Sequence, residues 1–101
     1  MKLVYSKHAI NQLENILHFL VSKQGIPFEK AFEIRLDILS KARLLISNPT
    51  IGQNEEYLHK LKAGHRRLVV KNYKIIYLIK AQEVIITDIF DTHQDPEKMK
   101  G

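Results

Sequence analysis

The chain has no cysteine, so neither a disulfide framework nor a thiolate metal site is open to it. Its four glycines are scattered and make no phosphate-cradling loop. Nowhere do roughly 18 or more apolar residues follow one another, which excludes a spanning helix by length. Glu14 and its polar neighbours break up the N-terminal region that a secretory signal would need. The five histidines lack H-x-x-x-H or any similar spacing, so no metal and no cofactor is expected. No nucleophile motif or paired-carboxylate spacing occurs either. One further absence is local. From Leu58 to Lys80 there is no Asp or Glu, while Lys60, Lys62, Arg66, Arg67, Lys71, Lys74 and Lys80 all fall there.

What is present suits a small folded protein. At 101 residues, two separate cores would each be too small to be stable, so one domain over 1–101 is expected, with 92–101 as a polar C-terminal tail. A hydrophobic content of 45% is too high for a disordered chain. The net charge of +5 calls for an anionic partner but does not choose among nucleic acid, an acidic protein segment and a membrane surface. A soluble, cytoplasmic protein is the expectation.

The chain opens with a short β-like run, "KLVYS", whose Ser6 suits the N-cap of a helix over Lys7 to Lys23. Ile10, Leu13, Ile16, Leu17, Leu20 and Val21 recur there at helical spacing. Gly25 and Pro27 end it and start another helix, from about Phe28 to Ser47. Phe28, Ala31, Phe32, Leu36, Leu39, Ala42, Leu45 and Ile46 are expected on one broad face of that helix. Pro49 closes it, and the short link predicts an antiparallel helical hairpin. "TIGQNEEYLHKLKAGH" reads as a polar loop. Three strands are expected after it, over His65–Lys71, Tyr73–Lys80 and Glu83–Phe90. The order β-α-α-β-β-β predicts an α+β fold: the hairpin covers one face of a mostly antiparallel sheet.

Alternation assigns the faces. Tyr73, Ile75, Tyr77 and Ile79 point one way; Lys74, Ile76, Leu78 and Lys80 point the other. Arg66 and Arg67 serve opposite faces of the preceding strand. Like charges on adjacent strands repel, and a sequence shaped only for stability would intersperse carboxylates. Taken singly, each lysine reads as a strand-edge guard against aggregation; the uninterrupted run suggests a binding surface. Tyr73 and Tyr77 read as core residues with hydrogen-bonded hydroxyls. Asp88 and Asp91 read as partners for the basic strands. His93, just past the last strand, reads either as exposed tail or as a proton donor or phosphate contact.

"SKHAINQLENILHFL", "NPTIGQ" and above all "LKAGHRRLVVKNYKIIYLIKAQEVIITDIFDTHQDP" resemble the RelE/ParE superfamily of toxins from bacterial type II toxin–antitoxin pairs. The likeness covers nearly the whole chain and implies the same hairpin-on-sheet fold. It also implies a cognate antitoxin whose acidic, partly disordered C-terminal segment folds on binding. The basic and apolar residues expected to meet the antitoxin or the target are Lys60, Lys62, Arg66, Arg67, Lys74, Ile76 and Leu78. ParE-like members poison DNA gyrase, and "RRLVVKNYKIIYLI" is closer to that branch, which is therefore favoured. RelE-like members cleave messenger RNA on the ribosome; on that reading Arg66, Lys74 and His93 would be catalytic. Lys74 replaces a more usual Arg, and Met99 stands where a base-stacking Tyr is expected. A non-toxic module binding nucleic acid or protein is the third reading. No membrane partner is expected.

Overall fold

A computed structural model describes residues 1–101. Its elements run β1 (Lys2–Tyr5), α1 (Lys7–Ser22), α2 (Phe28–Ser47), β2 (Gln53–Asn54), β3 (Arg66–Val70), β4 (Tyr73–Lys80) and β5 (Glu83–Asp91). Short 3₁₀ turns lie at Glu56–Leu61 and Pro96–Lys98. The five strands form one sheet in the order β1-β5-β4-β3-β2, antiparallel except where β1 runs parallel to β5. The α+β hairpin-on-sheet fold expected from the sequence is therefore present. No helix is long and apolar enough to cross a membrane.

Local chemistry sets the helix ends. Ser6 caps α1, its hydroxyl accepting from the Ala9 amide at 3.0 Å. Gly25 takes the left-handed backbone (φ +63°) that turns the chain into α2. Ala9 and Leu13 of α1 then join Ile38, Ala42 and Leu45 of α2 against Leu68, Ile75, Tyr77, Val84, Ile86 and Ile89 of the sheet. The broad face expected of α2 is narrower in the structure. Ala31, Ile38, Ala42 and Leu45 form the buried stripe, while Phe28, Phe32, Leu36 and Ile46 are exposed. A helix lying on a sheet buries only the line that touches it, so the flanking apolar positions remain outside.

β5 carries an irregularity that sorts its residues. Ile76 pairs with Asp88 but Tyr77 pairs with Ile86, so Thr87 is an extra residue in the ladder. The alternation phase shifts at that point. Ile86 and Ile89 both reach the helix side, and Asp88 and Phe90 reach the other.

That other face is not open, as the sequence suggested it would be. The "loop" after α2 contributes β2, which pairs with β3, and a 3₁₀ turn that lays Leu58 on the sheet. The tail turns back through Pro96–Lys98 and buries Met99. Leu58, Ile76, Phe90 and Met99 make a second, smaller core there. β2 can approach because residue 52 is glycine: a Cβ would lie 2.5 Å from the Arg67 carbonyl and 2.6 Å from the Tyr77 hydroxyl. The Tyr77 hydroxyl accepts from the Gly52 amide at 3.0 Å and donates to the Pro49 carbonyl at 2.8 Å.

Candidate functional site

The basic strands are divided by the pleat. Arg66 pairs with Tyr77 and so belongs to the helix side; Arg67 pairs with Ile76, and Lys74 with Val69, on the opposite side. Arg66 donates from Nη1 to the Gly52 carbonyl at 2.7 Å, pinning β2. Arg67 donates to the Asn54 carbonyl and, at 3.0 Å, to Gln53 Oε1.

The positive run is not unpaired, and its partner lies outside the window that lacks carboxylates. Glu55 is only 2% exposed. Its Oε1 lies 2.9 Å from Lys74 Nζ and 3.9 Å from Arg67 Nη1, and its Oε2 accepts from the Tyr57 amide at 3.0 Å. Lys74 Nζ also sits 5.4 Å from the Tyr57 ring centroid, a cation–π distance. One carboxylate thus serves two cations, and this patch keeps a net charge of about +1 with both cations mostly buried. Lys71 forms a more exposed pair with Asp37 at 3.0 Å. Lys60, Lys62 and Lys80 are exposed and make no ion pair.

Sequence reasoning missed Glu55 because it treated residues 50–65 as structureless. The available signal was local: a Glu two residues before Tyr57 can cap a turn there, and that capping places the carboxylate over the basic strands. It also missed His65, which is 5% exposed with neither ring nitrogen hydrogen-bonded. Burial holds the His65 pKa below its ordinary value.

Several expected pairings differ. Asp88 does not meet the basic strands. It is buried against His8 (Oδ1 to Nε2, 3.2 Å) and accepts from the Lys100 amide at 3.2 Å. Burial raises its pKa, against the lowering effects of that amide and of His8. Asp91 instead accepts from the His93 backbone amide at 2.9 Å, and its Oδ1 lies 3.1 Å from His93 Nδ1. Ile76, expected at a partner surface, is fully covered by this chain's own Leu58 and Met99 cluster. Leu78 remains half-exposed, next to half-exposed Ile85 and, beyond it, Val4. Met99, the residue in the place of a stacking tyrosine, is buried.

Arg66, Lys74 and His93 do not converge. Arg66 is on the helix side, bound to β2; Lys74 is on the opposite face, bound to Glu55. His93 stands beyond the Asp91 end of β5, 78% exposed in its side chain, on the wall of a helix-side cleft. Phosphoryl transfer needs charge stabilisation and proton transfer within hydrogen-bond reach of one phosphate, and this arrangement gives no such meeting point.

A family profile described as "ParE toxin of type II toxin-antitoxin system, parDE" matches residues 3–96. Among solved structures, the chain is similar to one described as "Chromosomal ParDE TA system from P. aeruginosa". The TM-score is 0.73 and the sequence identity 25%, with 90% of this chain and 95% of that chain covered. No curated protein sequence matched.

Proposed function

Because the chain belongs to the ParE toxin family of type II toxin–antitoxin systems, we propose that it arrests growth by poisoning DNA gyrase and that a cognate antitoxin neutralises it. The observation that carries the choice of gyrase over message cleavage is the separation of Arg66, Lys74 and His93 onto different faces and ends of the sheet. A gyrase poison acts by binding and needs no phosphoryl-transfer site of its own.

The antitoxin reading rests on two surfaces. Phe28, Phe32 and Leu36 repeat at helical spacing and are exposed on α2, with the two phenyl rings stacked at 5.9 Å. An amphipathic segment laid along that stripe would bury it. Exposed Lys60 and Lys62, the charge left over where Arg67 and Lys74 share Glu55, and half-exposed Leu78 suit acidic and apolar residues of the same partner, while Arg66 lies on the helix side. Ile76 plays no part in this contact, being buried.

One preparation tests the proposal in two assays. Gyrase supercoiling should be inhibited or cleaved DNA trapped, while ribosome-bound messages stay intact. Cuts in the message that disappear on Arg66→Ala or His93→Ala, with gyrase unaffected, would overturn it in favour of the ribonuclease reading. Unimpaired growth at high soluble expression without antitoxin would overturn both in favour of a non-toxic binding module.

A further inference from the structure

A well-formed cavity lies on the helix side of the sheet, opposite the face that carries Glu55, Arg67 and Lys74. It is a cleft of about 840 Å³ between α1 and the turn that follows β5. Its floor is apolar, from Ile16, Tyr73 and Ile89, and the phenyl ring of Phe19, 46% exposed, stands at its wall. The volume falls in the range of small-molecule sites, about 300–1,000 Å³.

Its polar lining is of an uncommon kind for so basic a protein. Gln12, Asn15, Gln24 and Gln94 all face the cleft, and each carboxamide offers both donors and an acceptor. Only one bond, Asn15 Nδ2 to Gln12 Oε1 at 3.4 Å, uses any of that capacity. The formal charges in the cleft, Lys23 and Asp91, cancel. An anion therefore has no net attraction to this site, in contrast to the other face of the sheet.

The histidine at the rim adds a directed acceptor. His93 Nδ1 lies 3.1 Å from Asp91 Oδ1, and the Asn72 amide nitrogen is 3.4 Å from both of those atoms. A carboxylate can only accept, so Asp91 fixes the proton on Nδ1 and Asn72 donates to Asp91 as well. In the neutral ring that leaves Nε2 as an acceptor.

We propose that this cleft binds an unpaired nucleobase. A flat ring would stack on Phe19 over the apolar floor. Its mixed donor–acceptor edge would pair with carboxamides, which can grip a base edge through two hydrogen bonds at once. A sugar lacks both the flat face and that edge, and a phosphate lacks a net positive site. The inference does not depend on whether gyrase or the ribosome is the target.

The test is an NMR titration of the whole chain with adenosine, guanosine, cytidine and thymidine, and with D-ribose as control, at about 0.1 M and 0.5 M salt. At least one nucleoside should give saturable shifts at Phe19, the Gln12 and Gln94 side-chain amides and the His93 ring. Its affinity should be unchanged by salt. Phe19→Ala should weaken binding roughly five- to a hundredfold, the usual worth of one base stack. If that variant disturbs the backbone spectrum, Gln94→Ala, in the exposed turn, should still weaken binding several-fold. The proposal is overturned by no saturable shift up to the solubility limit, by equal shifts with ribose, or by shifts confined to Lys60–Arg67 and Lys74 that vanish with salt.

Discussion

Replacing Glu55 by Gln removes one charge and almost no volume at the point where the basic strands are neutralised. Deleting one member of a buried ion pair costs about 3–5 kcal/mol, because the other charge is left without its partner. Two features reduce that figure here. Lys74 and Arg67 keep 18% and 19% of their side-chain exposure, so water reaches both, and a Gln oxygen can still accept from the Tyr57 amide. We expect a loss of about 2 kcal/mol. With a urea slope of about 1 kcal/mol/M, the unfolding midpoint should fall by about 2 M. A double-mutant cycle isolates the cause. In Glu55→Gln/Lys74→Met no ammonium is stranded, so the double variant should be more stable than the summed single losses by about 1 kcal/mol or more. The measurement is urea denaturation followed by far-UV circular dichroism for the parent and three variants. A Glu55→Gln midpoint within 0.5 M of the parent (about 0.5 kcal/mol), or additive single losses, would refute the reasoning. The positive run would then be held by backbone pairing alone.

Gly52→Ala places a methyl group 2.5 Å from the Arg67 carbonyl and 2.6 Å from the Tyr77 hydroxyl. It should separate β2 from β3 and lower the melting temperature by about 10 °C, on a loss of roughly 2 kcal/mol; an unchanged melting temperature would mean that β2 contributes nothing. His65 has a folded pKa depressed by burial, so the folded state binds its proton less readily than the unfolded chain. The stability this contributes is complete above the ordinary value of 6.5 and declines as pH falls below it toward the folded pKa. His65→Gln should flatten that decline in urea unfolding measured from about pH 7.5 to pH 5. Asp88, raised by burial, titrates with the opposite sign, and subtracting the two proteins at each pH removes its contribution. Parallel profiles would refute the assignment.

The elements whose apolar residues repeat at one period were legible in the sequence. α1, α2 and the three long strands lie within a residue or so of where Leu13, Ala42 or Ile75 and their neighbours placed them. The faces of β4 were readable for the same reason, since its alternation is unbroken from Tyr73 to Ile79. What could not be read involved contacts between segments far apart in sequence. Met99 carries no periodic signal, and only the geometry of the return turn brings it beside Ile76 and Leu58. Glu55 sits outside the basic window, and its relevance depends on β2 pairing two residues deep with β3. The separation of Arg66 from Lys74 follows from strand register. The sequence offered each residue to one face or the other but did not say which faces shared a partner.

The parallel pairing of β1 with β5 has a consequence for synthesis. Lys2 finds its ladder partner only at Glu83, and the sheet has no strand beside β1 other than β5. A ribosome adding roughly 5–20 residues per second needs about 4–16 s between those two codons. Through that interval the first strand is made but has nowhere to dock, and the α1–α2 hairpin lacks the β5 surface on which α1 rests. Most of the chain must leave the exit tunnel before a complete sheet can close. A partner already present in the cell would therefore meet an emerging helical hairpin, with Phe28, Phe32 and Leu36 on its outer side, before there is a finished fold to act on anything else.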